Sequence, residues 1–131
     1  MAKKILIVED VEDSRAILVV MLRRQCGYET MEAATGEEAV EKAVSEKPDL
    51  IVMDLGLPGI SGIDAAKALK ENSSTAHIPI VAHSAWNVES WGERAQNAGM
   101  IKYLQKPVPI KVMKETIEKL FLGLPQCYSS V

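Results

Sequence analysis

Two short runs of this chain are apolar at every position rather than at every second one: Ile5-Leu6-Ile7-Val8 and Leu50-Ile51-Val52-Met53. A third, residues 78–82, is broken only by Pro79. A strand with one wet face alternates polar and apolar side chains, so runs without alternation belong to strands covered on both faces. Residues 28–33 alternate more and suit an outer strand, and the short stretch 101–104 fits a last one.

Helical patterns fill the intervals. The first spans about residues 13–25, with Ile17, Val20, Met21 and Arg24 spaced three and four apart as its inner face and Gly27 placed to stop it. The second opens at Thr35-Gly36-Glu37-Glu38, carries Ala39, Val40, Ala43 and Val44 on one face, and ends at Lys47-Pro48. The third, around residues 63–71, presents Ala65, Ala68 and Leu69. Val88, Trp91, Ala95 and Ala98 mark a fourth closed by Gly99, and Ile110, Met113, Ile117, Leu120 and Phe121 make the stripe of a fifth. Strands alternating with helices imply an α/β fold with right-handed crossovers. The expected architecture is a (βα)5 flavodoxin-like, five-stranded parallel sheet of order 2-1-3-4-5 with helices on both faces. That order sets strands one and three side by side at the switch point where such sheets bind ligands.

The chain of 131 residues fits one domain. We divide it into a folded unit of residues 1–122 and a loosely ordered tail of residues 123–131. A net charge of −3 gives no reason to expect nucleic acid as a partner, and Arg23-Arg24 stands as an isolated basic pair. No apolar stretch approaches the roughly 20 residues that span a bilayer, and Met1-Ala2-Lys3-Lys4 opens a poor signal peptide. Cys26 and Cys127 are too few and too far apart for a disulfide framework. The expected setting is a reducing cytoplasm, without membrane attachment.

The apolar runs end in charge. Glu9-Asp10 follows the first and Asp54 follows the second. In the expected strand order these carboxylates share one crevice, and their mutual repulsion is costly unless a cation sits among them. A hard divalent ion with oxygen ligands resolves this, and Mg2+ is the common choice beside phosphate. Asp10 and Asp54 would bind it directly, the Gly56 carbonyl would add a third oxygen, and the longer Glu9 would reach it through water. Asp54 could then attack a phosphorus atom as a carboxylate nucleophile. Ser84 and Lys106, at the ends of strands four and five, would supply a hydroxyl and an ammonium to the remaining phosphoryl charge. Pro107 raises the chance of a cis peptide at Lys106.

Each residue alone has a plainer reading. Glu9-Asp10 would cap a helix, Asp54 would begin a turn toward Pro58-Gly59, and Ser84 and Lys106 would be loop and solvated groups. The four together at the ends of different strands are harder to assign to chance. The chain resembles a response-regulator receiver domain, the phosphoacceptor module of two-component signalling, over roughly residues 3–122. The residues that carry the resemblance are Ile5 to Asp10, Pro48 to Leu55 with Leu57-Pro58-Gly59 and Gly62, Pro79 to Ala82 with Ser84-Ala85, and Ala98-Gly99 leading to Tyr103 and Lys106-Pro107. The resemblance implies that Asp54 takes a phosphoryl group from a phosphohistidine on a histidine kinase or phosphotransfer protein, with Mg2+ held near Glu9, Asp10 and Asp54. It also implies a switch, in which Ser84 moves toward the phosphoryl group and Tyr103 turns inward. The face of helix four, strand five and helix five would then change shape for a downstream protein. Taken alone, Tyr103 reads as a half-buried sheet residue.

Glu9 stands where many relatives carry Asp, and Ser84 replaces a frequent Thr. Gly56 and Trp86 flank the path of an attacking water, and Trp86 is expected to slow loss of the phosphoryl group by crowding that path. Trp86 and Trp91 could instead be exposed docking aromatics, and His83 reads as a packing residue on the strand face opposite Ser84. A haloacid-dehalogenase-type phosphatase would need a second acid where Gly56 stands. A flavin-binding protein would need a Ser/Thr/Gly-rich loop where Glu9-Asp10-Val11-Glu12-Asp13 stands. The expected role is therefore a signalling switch rather than an enzyme: a single-domain regulator like the stand-alone receivers of motility, phosphorelay and cell-cycle control. The alternatives are a fragment of a larger regulator or hybrid kinase, and a docking module that works unphosphorylated. Met1 and the natural-looking tail favour a whole protein.

Overall fold

A computed structural model describes residues 2–123. The expected tail lies outside this range apart from Gly123, as does Cys127. Among these residues strands and α-helices alternate: β1 (Lys4–Val8), α1 (Glu12–Val20), β2 (Glu29–Ala33), α2 (Gly36–Glu46), β3 (Leu50–Met53), α3 (Gly62–Glu71), β4 (Ile80–Ser84), α4 (Val88–Asn97), β5 (Lys102–Gln105) and α5 (Ile110–Phe121). All pairings are parallel and the sheet order is β2-β1-β3-β4-β5. The non-alternating runs fill β1 and β3, flanked on both sides, and the alternating run is the edge strand β2.

The sheet separates two apolar layers. On one face Leu6, Val8, Ile51, Met53, Ile80 and Tyr103 pack against α2, α3 and α4. On the other, Ile5, Ile7, Leu50, Val52, Val81 and Leu104 pack against Leu18, Leu22, Met113 and Ile117 of the α1 and α5 side. Adjacent residues of one strand thus serve opposite layers, as the two-residue period requires.

Side chains cap α2, α3 and α4. Thr35 Oγ1 accepts from the Glu38 amide at 3.0 Å, while Glu38 Oε1 reaches back to the Ala34 amide at 2.7 Å. This is a capping box displaced by one residue. Ser61 caps α3 by accepting from Asp64, and Asn87 caps α4 by accepting from Glu89.

The structure corrects the face assigned to the first helix. Leu18 and Leu22 are the buried residues, whereas Ile17 is 60% exposed and Val20 is 50% exposed. The helix also changes character, continuing from α1 as a π-helical stretch, Met21–Gln25, before Gly27 turns the chain with φ +75. Val44, expected on the inner face of α2, is exposed as well. β4 begins two residues later than expected: Pro79 has no amide to donate, though its carbonyl accepts from Ile51 at 3.0 Å.

Candidate functional site

The sheet ladder runs one residue past three strands and fixes the backbone of the charged residues. The Glu9 amide donates to Ala33, the Asp54 amide to Val8 at 3.0 Å, and the Lys106 amide to the Ser84 carbonyl at 2.8 Å. Their side chains leave the C-terminal edge of the sheet into one crevice. Carboxylate oxygens of Glu9, Asp10 and Asp54 lie within 4.8 Å of one another. Lys106 Nζ donates to Glu9 Oε2 at 2.6 Å and to Asp54 Oδ2 at 3.3 Å. The Gly56 amide donates to Asp54 Oδ1 at 3.3 Å. The Lys106–Pro107 peptide is cis.

Glu9 is only 4% exposed. Burial raises its pKa and the Asp54 charge adds to that, against the lowering effect of the Lys106 hydrogen bond. Burial alone would lower Lys106, but the hydrogen bond to Glu9 and the charges of Asp54 and Glu9 outweigh it and hold the ammonium above its ordinary value. The lysine is thus a fixed cation paired with two of the three acids. Oxygen donors of this hardness, number and spacing fit a small divalent ion, with Glu9, Asp10 and Asp54 able to hold it.

Ser84 and Tyr103 form a second group, tied to the first by the turn after β4. Ser84 is fully buried and its Oγ accepts from the Trp86 amide at 3.1 Å. Tyr103 is 0% exposed, deeper than the half-buried position its sequence context suggests, and its hydroxyl donates to the Trp86 carbonyl at 2.7 Å. Trp86 therefore joins the two residues through its own backbone.

Residues 5–118 match the family model described as the response regulator receiver domain. The chain belongs to that family. The receiver is 37% identical over 123 residues to the polar-differentiation response regulator DivK of Brucella anthropi, covering 94% of this chain and 98% of that one. Its fold is similar to that of the chemotaxis response regulator CheY4 of Vibrio cholerae, with a TM-score of 0.85 at 26% identity, covering 92% of this chain and 99% of the other. It is also similar to the receiver domain of a sensor histidine kinase from Pseudomonas aeruginosa. There the TM-score is 0.84 at 30% identity over 94% of this chain and 99% of the other, and that structure carries a magnesium ion coordinated in its active site cleft. This chain is thus a two-component response regulator receiver. Among its described residues no helix is long and apolar enough to cross a membrane.

Two features of the receiver's site were not visible as such in the sequence. One is Arg15, whose Nη1 donates to the Glu9 carbonyl at 2.8 Å while its Nε pairs with Glu32 Oε1 at 2.9 Å. A lone arginine one turn into a helix carries no signal of that contact. The other is an aromatic stack. The Trp86 indole lies against Gly56, where an added Cβ would sit 3.0 Å from Cζ2. Trp86 stacks on Trp91 with centroids 4.5 Å apart, and the Arg94 guanidinium covers Trp91 at 4.8 Å. Both tryptophans are half-buried against the core rather than free docking groups.

His83 lines a largely apolar cavity of about 260 Å³ between α1 and the start of α5, with Leu18, Met21, Lys106 and Met113. Burial, and then the Lys106 charge, lower its pKa to about 4 against an opposing pull from Asp54. It is a neutral packing group at pH 7.

Proposed function

We propose that this receiver accepts a phosphoryl group on Asp54 from a phosphohistidine of a histidine kinase or phosphotransfer protein. The observation that carries the reading is the meeting of three carboxylates within 4.8 Å with the Lys106 ammonium set between Glu9 and Asp54. An Asp54 carboxylate oxygen attacks phosphorus, the P–N bond to the donor imidazole breaks, and the imidazole departs as the neutral ring after taking a proton. Glu9, Asp10, Asp54 and the Gly56 carbonyl are the proposed Mg2+ donors. When bound, Mg2+ supplies a Lewis acid that offsets charge on the phosphoryl oxygens. The Lys106 ammonium, already held 3.3 Å from Asp54, stabilises the same developing charge from the protein side.

In this reading Ser84 donates its hydroxyl to the phosphoryl group, giving up the Trp86 amide it now accepts. Because Trp86 also holds the Tyr103 hydroxyl, a shift at Ser84 passes to Tyr103 and to the face formed by α4, β5 and α5, where a downstream protein docks. Residues 1–122 are the functional unit, the receiver turns over no separate substrate, and it works in the cytoplasm. The Trp86 indole beside Gly56 crowds the approach of water to the phosphorylated site.

The test is phosphorylation by acetyl phosphate with Mg2+, read by intact mass. One added phosphoryl group is expected on the wild type and none on Asp54→Asn; equal labelling of both would end the reading. Trp86→Ala is expected to shorten the phosphoryl lifetime about fivefold, which corresponds to about 1 kcal/mol in the barrier to hydrolysis. An unchanged lifetime would remove Trp86 from this role while leaving the acceptor assignment intact.

A further inference from the structure

We infer that Arg15 is a positioning residue for the cation site, acting through the backbone of Glu9; this rests on the phosphoacceptor reading. β1 leaves the sheet at Glu9, whose amide still belongs to the ladder through Ala33. The carbonyl of the same residue lies beyond the regular strand, and Arg15 Nη1 takes it at 2.8 Å. That carbonyl and the Asp10 amide belong to one rigid peptide plane. Fixing its oxygen fixes the direction in which Glu9 and Asp10 project their carboxylates into the 4.8 Å cluster.

The guanidinium is itself braced. Its Nε pairs with Glu32 Oε1 at 2.9 Å, and the Arg15 side chain is only 17% exposed. Glu32 sits on β2 next to Ala33, the residue that accepts the Glu9 amide. The fork therefore ties α1 and the edge strand to the one peptide that carries both acids. A lysine at this position would keep the charge but could not span two acceptors in fixed geometry.

The sign of the effect separates positioning from simple electrostatics. A cation near an acidic site repels Mg2+ through space, so removing the guanidinium charge would tighten binding if charge alone mattered. Positioning predicts the reverse for both Arg15→Met and the charge-conserving Arg15→Lys. Isothermal titration of the full chain with MgCl2, at a temperature where circular dichroism shows each protein folded, reads the difference. Both variants are expected to bind Mg2+ about tenfold more weakly than wild type, the scale seen when a residue that orients a ligand is lost; Glu32→Gln is expected to show a smaller loss. Affinity that is unchanged or tighter in Arg15→Met, even with a lowered melting temperature, overturns the inference, because a role confined to stability leaves the folded site intact. If Arg15→Met does not fold, Arg15→Lys decides alone, and wild-type affinity in it overturns the inference. Wild type giving no saturable heat would overturn the cation site and this inference together, which separates that failure from the failure of Arg15 alone.

Discussion

At Gly62 the first residue of α3 comes so close to the end of β3 that an added Cβ would lie 2.1 Å from the Asp54 carbonyl and 2.9 Å from Leu55 Cα. Both obstacles are backbone, so neither can swing aside, and the Gly62 amide donates to Leu55 at 2.9 Å across the same gap. Gly62→Ala is expected to cost about 2–4 kcal/mol by urea denaturation, as an overpacked and strained site does, with the damage centred on the backbone that carries Asp54. His83 gives a residue-scale prediction of a different kind. Its pKa falls from 6.5 to about 4 on folding, so between those values the unfolded chain binds the proton and the folded one does not. Stability from this group is complete above pH 6.5 and is lost as pH falls toward 4. Glu9, whose pKa is raised, contributes in the opposite sense. The difference between wild type and His83→Leu isolates the histidine. That difference should shift by on the order of 2–3 kcal/mol across this window, and parallel pH profiles would exclude a neutral imidazole held in that cavity. Neither effect was legible from residue identity. The motif position of Gly62 hints at importance without the 2.1 Å approach behind it, and His83 reads as packing without the lysine beside it.

The elements themselves were legible where periodicity was unambiguous. β1 and β3 emerge from runs that have no polar position, and α5 from a stripe whose members Met113 and Ile117 are buried. α1 failed for a physical reason: residues 16–22, Ala-Ile-Leu-Val-Val-Met-Leu, are apolar all round, so a 3.6-residue pattern cannot choose a face. Tertiary packing chose Leu18 and Leu22 and left Ile17 and Val20 in water. Paired substitutions check this directly. Leu22→Ala should destabilise by about 2–5 kcal/mol, as truncation of a fully buried leucine does, and Ile17→Ala should stay within about 0.5 kcal/mol of wild type. Equal losses at the two positions would restore the face expected from spacing. The strand ends show the same limit on a smaller scale, since composition fixes which run is a strand while the last ladder bond fixes where it stops. It is those terminal bonds, from Glu9, Asp54 and Lys106, that bring the charged residues together.

For the molecule as a whole, the site was legible because a parallel sheet gathers its strand ends at one edge, so carboxylates and a lysine written far apart in sequence had one place to meet. What stayed hidden were the bracing contacts, Arg15 with Glu32 and Trp86 with Trp91, which depend on distances that only the packed layers set. The packed site also holds an imbalance: three carboxylates meet within 4.8 Å, and Lys106 ion-pairs with two of them, Glu9 and Asp54. Like charges so arranged oppose folding until a cation joins them. Mg2+ at ten times its dissociation constant should therefore stabilise the wild type by about 1.4 kcal/mol. Asp10→Asn removes one repelling charge and a proposed ligand at once. In EDTA it should unfold at a higher urea concentration than wild type, and in saturating Mg2+ the order should invert, because only the wild type keeps the full donor set. Urea midpoints measured with and without the ion test both halves. Curves that keep the same order in both buffers would mean that the acidic cluster is tolerated for a reason other than the proposed cation.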